Sequence, residues 1–295
     1  QYVFNGLADN PAYAGYKEQL NLHAFYRTQW TGISGAPKTM SMAVDATANN
    51  GNVGLALQLS SDRLGAQRHD AVYGNYAYRI KLNNEGTSRL AFGVGLGAVQ
   101  LGIDGNRLTP NDVKPDQPMG VQNTIVPDAR AGVFFANERF YVGFSADNLV
   151  SQYIDVDKYA FISKLKPHYY LTAGILLPLS SSLQFKPSFL LKDDRGGPTS
   201  LDINTFLIIS EKFWLGGSYR TGVKLYNKAY LEKSLSQLNA AVAAIQFFPN
   251  KSFRLGYAYD FSIGPLQGYS GGTHELSIGY FFKKKQIRML SSRYF

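Results

Sequence analysis

Apolar and polar residues alternate along most of this chain. From residue 52 to 60, Val53 and three leucines fall on one parity, while Gly, Ala, Gln and Ser fall on the other. The same period of two recurs over 88–100, 253–260 and 275–282. Because successive side chains of a strand point to opposite faces, this pattern indicates strands with one apolar face. It predicts fourteen strands, near residues 19–30, 38–47, 52–61, 68–82, 88–101, 128–136, 140–148, 168–178, 182–192, 200–209, 213–221, 238–248, 252–261 and 274–282.

The connections between these strands alternate in length. The short ones are 49–51, 83–86, 136–139, 179–181, 210–212 and 249–251, and the clearest long ones are 102–127, 149–167, 222–237 and 262–273. Most strands have about 9–11 residues, enough for a tilted strand to cross a bilayer. The sequence therefore predicts an all-β fold, a transmembrane antiparallel up-and-down β-barrel with short periplasmic turns and long extracellular loops. A soluble β-sandwich or jelly roll, such as a carbohydrate-binding protein, is the alternative, but it gives no reason for loops that alternate in length.

Charged residues lie on the polar parity of the predicted strands. The cations there are Arg27, Arg79, Lys81, Arg89, Arg130, Lys186, Arg220 and Arg254, and the anions are Asp45, Asp147, Asp202, Asp260 and Glu275. A Lys or Arg facing lipid at mid-membrane costs about 2–4 kcal/mol, so this parity is expected to line the lumen. We predict a lumenal charge network of Arg27, Arg220, Arg254, Asp260 and Glu275. It would either brace the wall or select anions.

The aromatic residues fit the same interpretation. They make up 14% of the chain. Several lie near strand ends on the apolar parity, as in the interfacial girdles of membrane barrels: Tyr26, Trp30, Phe140, Tyr169, Tyr280 and Phe282.

Composition excludes several classes of function. There is no Cys, so disulfides and thiolate metal sites are excluded. The formal net charge is +9, but the basic residues are scattered, which argues against nucleic-acid binding. No apolar run approaches the roughly 18 residues of a transmembrane helix. The chain begins at Gln1, which suggests a mature product whose signal peptide has been removed.

No catalytic, cofactor or metal site is predicted. The four histidines share no metal-ligand spacing. His274 and Glu275 are adjacent on one strand, so their side chains point to opposite faces and cannot serve one lumenal site. We expect a protein that is not an enzyme.

Two segments lie outside the strand pattern. Residues 1–18 are rich in turn residues and are predicted to form a periplasmic N-terminal segment, before a barrel over 19–282. Residues 283–295 are predicted to form a periplasmic tail. Its lysines could be a solvated stop at the membrane edge, or the tail could dock a periplasmic partner. The candidate docking residues are Lys283, Lys284, Lys285, Arg293, Tyr294 and Phe295.

Several short motifs resemble one known family. They are NPAYAG at 10–15, YRTQW at 26–30, GAP at 35–37, GSYR at 217–220, GYAYD at 256–260, GGTHE at 271–275 and RYF at 293–295. These segments resemble, in order, those of the PorP/SprF family of the type IX secretion and gliding apparatus. Ser291 and Ser292 depart from the pattern, because a Pro is expected before Arg293.

This resemblance implies an outer-membrane barrel of a Gram-negative, Bacteroidetes-like cell, with both termini periplasmic. It implies two partners besides outer-membrane lipid. One is a large secreted surface protein, an adhesin with a C-terminal type IX signal, and the other is a periplasmic peptidoglycan-binding lipoprotein. We expect loops 102–127 and 149–167 to grip the exported protein, with Tyr153, Tyr159 and Phe161 as aromatic anchors. The alternative function is a passive, weakly anion-selective outer-membrane channel.

Overall fold

A computed structural model of the chain describes residues 6–108, 120–154, 165–228, 239–263 and 268–282. The strands are β1 (Asn21–Thr28), β2 (Lys38–Ala48), β3 (Val53–Leu64), β4 (Gln67–Lys81), β5 (Arg89–Asp104), β6 (Val121–Ala136), β7 (Phe140–Asp147), β8 (His168–Ile175), β9 (Leu177–Pro178), β10 (Leu183–Asp193), β11 (Thr199–Ile209), β12 (Phe213–Val223), β13 (Asn239–Asn250), β14 (Phe253–Ile263) and β15 (Thr273–Phe281). In these ranges, single 3₁₀ turns accompany them at Gly6–Ala8, Pro11–Tyr13, Asn49–Gly51, Gly105–Arg107 and Ser151–Tyr153. Within these ranges, no helix is both long and apolar enough to cross a membrane.

The strands close into one antiparallel barrel. Each strand pairs with its neighbours in chain order, and the barrel closes where β15 pairs with β1, from Asn21↔Phe281 to Thr28↔His274. β8 and β9 are two parts of one wall strand, interrupted at Leu176, and both pair with β10. In the described ranges the wall therefore has fourteen strands. The predicted barrel is confirmed, and the sandwich alternative is wrong.

The two parities of each strand face different surroundings. The predicted lumenal cations Arg79, Arg130 and Arg254 are buried inside the barrel, whereas Leu57 and Leu59 are exposed on its outer surface. A slip of one residue would turn the charges outward, so the alternation fixes the register of each strand. The outer surface is consequently an apolar belt suited to lipid.

The side of the barrel that carries the short connections is called the short-turn side, and the other is called the long-loop side. Short turns use residues that accept positive φ, as at Asn49, Asn50 and Gly51. In the turn after β4, Asn83 accepts backbone hydrogen bonds from Thr87 and Ser88 at 3.0 and 3.1 Å. These local contacts fix the turns that the sequence predicted.

One strand differs from its prediction. β6 begins at Val121, not near residue 128, so the expected loop 102–127 is shorter and is flanked by strand at both ends. The sequence predicts a start near residue 128 because a proline such as Pro127 is unusual inside a strand. Its missing N–H belongs to the side of β6 that faces away from β5, so pairing with β5 continues through it. As a result β5 and β6 each have 16 residues, whereas β7 has 8, and the wall is taller at β6 than at β7.

The segment before β1 also differs from its prediction. Residues 6–18, called the plug segment here, do not extend away from the barrel but pack inside it against β2–β7. Leu7, Ala12, Ala14 and Tyr16 are almost fully buried there. The predicted separate segment is in this part a component of the barrel interior. The side of the membrane from which it enters stays a prediction.

Candidate functional site: the plugged lumen and the long-loop rim

Glycines on the inner wall make room for the plug segment. Gly54 on β3, Gly93 on β5 and Gly132 on β6 all face it. A Cβ atom added at any of them would come closer than 3.0 Å to an atom of the segment. The atoms met are, in that order, the carbonyl of Ala14, the backbone of Pro11 and Ala12, and the side chain of Asn10. These inward glycines therefore leave space in the lumen that the plug segment fills.

Asn10 fastens the plug segment to the wall. Its Oδ1 accepts a hydrogen bond from the Ala12 N–H at 2.9 Å and so caps the 3₁₀ turn Pro11–Tyr13. Its Nδ2 donates to the carbonyls of Val133 and Phe144 at 3.1 and 3.3 Å. These carbonyls belong to β6 and β7, so one amide joins the plug segment to two wall strands.

The aromatic rings of the plug segment pack on the wall. Tyr13 and Tyr16 both meet Phe134 edge-on, with ring centroids 5.4 and 5.3 Å apart. Gly15 has φ of +66°, a left-handed conformation that favours glycine, and its N–H donates to Asp45 at 3.1 Å. Each residue of the NPAYAG motif therefore has a structural role. Asn10 caps the 3₁₀ turn that begins at Pro11, and Tyr13 packs on the wall. Ala12 and Ala14 lie against the wall glycines, and Gly15 adopts the left-handed conformation.

Charged groups secure the end of the plug segment next to β1. The Arg79 guanidinium donates to the Gly15 carbonyl and, at 3.1 Å, to the Val53 carbonyl. Glu18 forms a buried ion pair with Arg89. Because both partners of this pair are buried, removing either would leave an uncompensated charge inside the barrel.

Arg130 lies above the plug segment and joins three strands. Its guanidinium donates to Asn75 at 2.8 Å and to Gln58 at 2.7 Å, and it lies over the Tyr73 ring at 4.7 Å. A Cβ atom added at Gly95 on β5 would lie closer than 3.0 Å to the Arg130 side chain. The missing side chain at Gly95 therefore leaves the space that Arg130 occupies. These contacts brace the interior at mid-height.

Asp128 connects this cluster to the long loop after β7. It accepts a hydrogen bond from the Tyr73 hydroxyl at 2.7 Å and from the backbone N–H groups of Val150 and Ser151 at 3.3 and 3.0 Å. The chain that leaves β7 is therefore drawn inward over the lumen. Sequence reasoning missed this role, because Asp128 was predicted to lie at the start of a strand.

The lumenal charge network lies on the other side of the interior, toward the long loops. Arg27 is 3.0 Å from Asp260 and 3.4 Å from Glu275. Arg220 is 2.7 Å from Asp202 and 3.7 Å from Asp260. Four of the five predicted network residues are thus brought together, and Asp202, predicted only as a lumenal counter-ion, joins them.

Two further lumenal cations, Arg254 and Lys192, differ from the predicted network. Arg254 lies apart from it, with its guanidinium 3.3 Å from the Gln246 amide oxygen. Lys192, which the sequence did not single out, lies 3.4 Å from Asp202. The available signal was its position near the end of β10, two residues from Leu190, which pairs with Asp202 on β11. Because its cations are ion-paired, the cluster is better suited to brace the wall than to select anions.

The long-loop rim presents Tyr153 to solvent. It ends the 3₁₀ turn Ser151–Tyr153, and its side chain is 80% exposed. The other two predicted aromatic anchors, Tyr159 and Phe161, lie outside the described residues. Tyr269 on another loop is equally exposed.

The loop after β10 is stiffened by its carboxylates. Asp193 accepts hydrogen bonds from the Tyr226 hydroxyl and the Lys228 ammonium, each at 2.9 Å. Partial burial acts to raise the pKa of Asp194, but the N–H groups of Gly196 and Gly197 donate to it and lower that pKa below its ordinary value. The charged form therefore holds this loop in shape at neutral pH.

The remaining positions considered from the sequence are the histidines and the C-terminal tail. No group of three or more His, Cys, Asp or Glu there is arranged to hold a metal ion. His274 contacts the Tyr257 hydroxyl at 2.8 Å on the outer surface, while Glu275 points into the lumen. The predicted docking residues of the tail, from Lys283 to Phe295, lie outside the described residues.

Solved structures similar to this chain are outer-membrane barrels. The CymD monoaromatic hydrocarbon channel aligns with a TM-score of 0.57 at 10% identity, covering 96% of this chain and 94% of that chain. A FadL homologue from Pseudomonas aeruginosa aligns with a TM-score of 0.50 at 11% identity and the same coverages. At such low identity these similarities show the fold alone. No curated protein sequence matches the chain.

The family comparison is more specific. The model of the family described as "Type IX secretion system membrane protein PorP/SprF" matches residues 1–280. This match includes the plug segment, the glycines that accommodate it and the lumenal charge network. The chain therefore belongs to the PorP/SprF family of type IX secretion system membrane proteins, and it has the fold of an outer-membrane β-barrel.

Proposed function

We propose that this chain is a non-enzymatic barrel that binds, anchors or helps export a large secreted surface protein at the outer membrane. The client would be an adhesin with a C-terminal type IX signal, and the long loops would face the cell exterior. The observation that carries the proposal is the plug segment, which fills part of the lumen with residues hydrogen-bonded to four wall strands, β2, β4, β6 and β7. A barrel whose interior is occupied by its own chain is better suited to hold a partner at its rim than to pass solutes.

The rim supplies contacts for such a partner. Tyr153 lies on a loop that Asp128 holds in place, so its exposed ring is presented from an ordered backbone. Exposed aromatic residues on a rigid support are frequent anchors of protein interfaces. On the opposite side, both termini would lie in the periplasm, where the tail would meet a peptidoglycan-binding lipoprotein.

The first test is a pull-down in mild detergent from native outer membranes, with the barrel tagged at its C-terminus. Recovery of a large exported surface protein in near-equal amounts would support the proposal. Recovery of the barrel alone, together with open anion-selective pores in planar bilayers, would replace it with the channel alternative.

A matched pair of variants tests the rim. Tyr153→Ala is expected to weaken recovery of the surface protein by about tenfold, because buried aromatic anchors typically contribute 1–2 kcal/mol or more on truncation. Tyr269→Ala removes an equally exposed ring from a different loop and is expected to leave recovery unchanged. Equal recovery with both variants would contradict the assignment of loop 149–167 as the gripping loop.

A further inference from the structure

β6 rises past its neighbour on the long-loop side. It pairs with β5 along its whole length, from Arg89↔Ala136 to Asp104↔Val121. It pairs with β7 only between Ala131↔Ala146 and Ala136↔Tyr141. The chain beyond β7 then turns inward toward Asp128. Among the described strands, residues 121–128 therefore have a neighbour on one side only.

The backbone groups on the open side can be identified. The Leu149 N–H donates to the Ala129 carbonyl at 3.0 Å, so the odd-numbered residues of β6 direct their backbone groups away from β5. Val121, Asn123 and Ile125 have this parity, and within the described residues no backbone hydrogen bond engages them on that side. Pro127 has no N–H and ends the row. We call 121–125 the open edge.

The open edge lies above the apolar belt. Ile125 pairs with Gln100, which pairs with Asp70, which in turn pairs with Ser61, and this row of outward positions is polar apart from Ile125. The next outward row toward the membrane is apolar and consists of Pro127, Ala98, Val72 and Leu59. The open edge therefore stands in water, next to the rim.

The side chains of the open edge are unusual for this height. Val121 and Ile125 are 65% and 67% exposed. On the other face of the same strand, Val126 is buried against Val99 and Leu101, so the strand is rigidly supported. Natural edges are usually protected by charges or by covering segments, whereas this one presents two apolar side chains beside unpaired backbone groups.

We propose that the open edge binds an extended segment of the exported surface protein, which adds to the barrel wall as a further strand. This inference rests on the proposed function and specifies how the barrel would contact the surface protein. Unpaired N–H and C=O groups in a row match the backbone of an extended chain. The exposed Val121 and Ile125 favour a segment with apolar residues at alternate positions.

A second copy of this chain cannot pair with the open edge as an antiparallel strand. Antiparallel pairing of two identical edges requires a twofold axis across the strands. In a membrane barrel that axis would place one of the two copies upside down. A segment from a partner outside the membrane has no such restriction.

Amide hydrogen exchange on the unmodified barrel, alone and with the copurified surface protein, tests the proposal directly. The amides of Asn123 and Ile125 are expected to exchange quickly in the free barrel and at least about tenfold more slowly in the complex. Gln122 and Thr124 are internal controls, because their amides face β5 and are slow in both states. Unchanged rates at Asn123 and Ile125 in the complex would overturn the proposal.

Two variants at one position separate backbone from side chain. Ile125→Pro removes the edge N–H and is expected to weaken recovery of the surface protein about tenfold, since its partner carbonyl loses a hydrogen bond. Ile125→Ala retains the N–H and is expected to weaken it less. Heat-dependent gel mobility checks that both barrels fold. If Ile125→Pro recovers as much partner as the native chain while Tyr153→Ala does not, the open edge is refuted and the proposed function stands. If the native barrel recovers no surface protein, both fail.

Discussion

Adding one methyl group at Gly93 tests whether the plug segment is fixed by the shape of the wall. The new Cβ of Gly93→Ala would lie closer than 3.0 Å to the backbone of Pro11 and Ala12. Backbone atoms cannot rotate away as a side chain does, so the segment must shift. Overpacking of this kind costs typically about 1–3 kcal/mol, which corresponds to about a 5- to 150-fold change in the fraction of barrels with a displaced plug segment.

The chain contains no Cys, so an introduced thiol is a unique probe of that displacement. Leu7 is buried and larger than Cys, so Leu7→Cys fits its site. A maleimide reagent should label this thiol slowly in the otherwise native barrel and about 5- to 150-fold faster when Gly93→Ala is added.

The control is Gly74→Ala on β4, where the nearest atom to the new Cβ is 3.9 Å away. Labelling in this variant should match that of the barrel carrying only Leu7→Cys. The reasoning would be refuted if Gly93→Ala and Gly74→Ala gave the same labelling rate in barrels of equal heat stability.

Three further predictions concern the wall, the network and the loop. Leu57→Arg on the outer surface should destabilise the barrel by about 2–4 kcal/mol, whereas Met40→Arg near the rim should cost about 0–1 kcal/mol; equal denaturant midpoints would contradict the assigned depth. Asp202→Asn should destabilise the barrel by about 1–3 kcal/mol, measured as a lower temperature of gel-mobility change, because its Arg partner on β12 loses a charged acceptor; the exposed Asp62→Asn should have little effect. Asp128→Ala should free the loop after β7 and accelerate proteolysis within 148–154, and a cleavage rate equal to the native one would argue against this anchor.

The wall was predictable because its signal is local. Alternation places Leu57 outward and Gln58 inward whatever the rest of the chain does, and lipid on one face makes the pattern strict. Prediction stopped short at β6, where Pro127 signals a break although its missing N–H faces the open side. No local pattern could show that the wall strands differ in height.

The interior was less predictable, because its contacts join residues far apart in sequence. Asn10 reaches carbonyls more than 120 residues away, and nothing in the motif itself indicates those partners. The role of the glycines at 54, 93 and 132 becomes visible only when Asn10, Ala12 and Ala14 lie against them. Charge parity placed Arg27, Arg220 and Asp260 on the lumenal face, where they meet in the structure. It placed Arg254 there too, although Arg254 lies apart from them, because parity gives the face of a strand and not the contacts on it.

The position of the plug segment has a consequence for how the barrel is assembled. Residues 6–18 precede β1, and β1 forms the seam with the last strand, β15. The segment crosses from β2 to β7 inside a wall that is complete only when that seam closes. It must therefore lie on the growing sheet before the final strand arrives, or else be drawn in along the barrel axis afterwards. In the first case the plug segment acts as an internal template on which the sheet curls. It then stays trapped inside the barrel once the seam has closed.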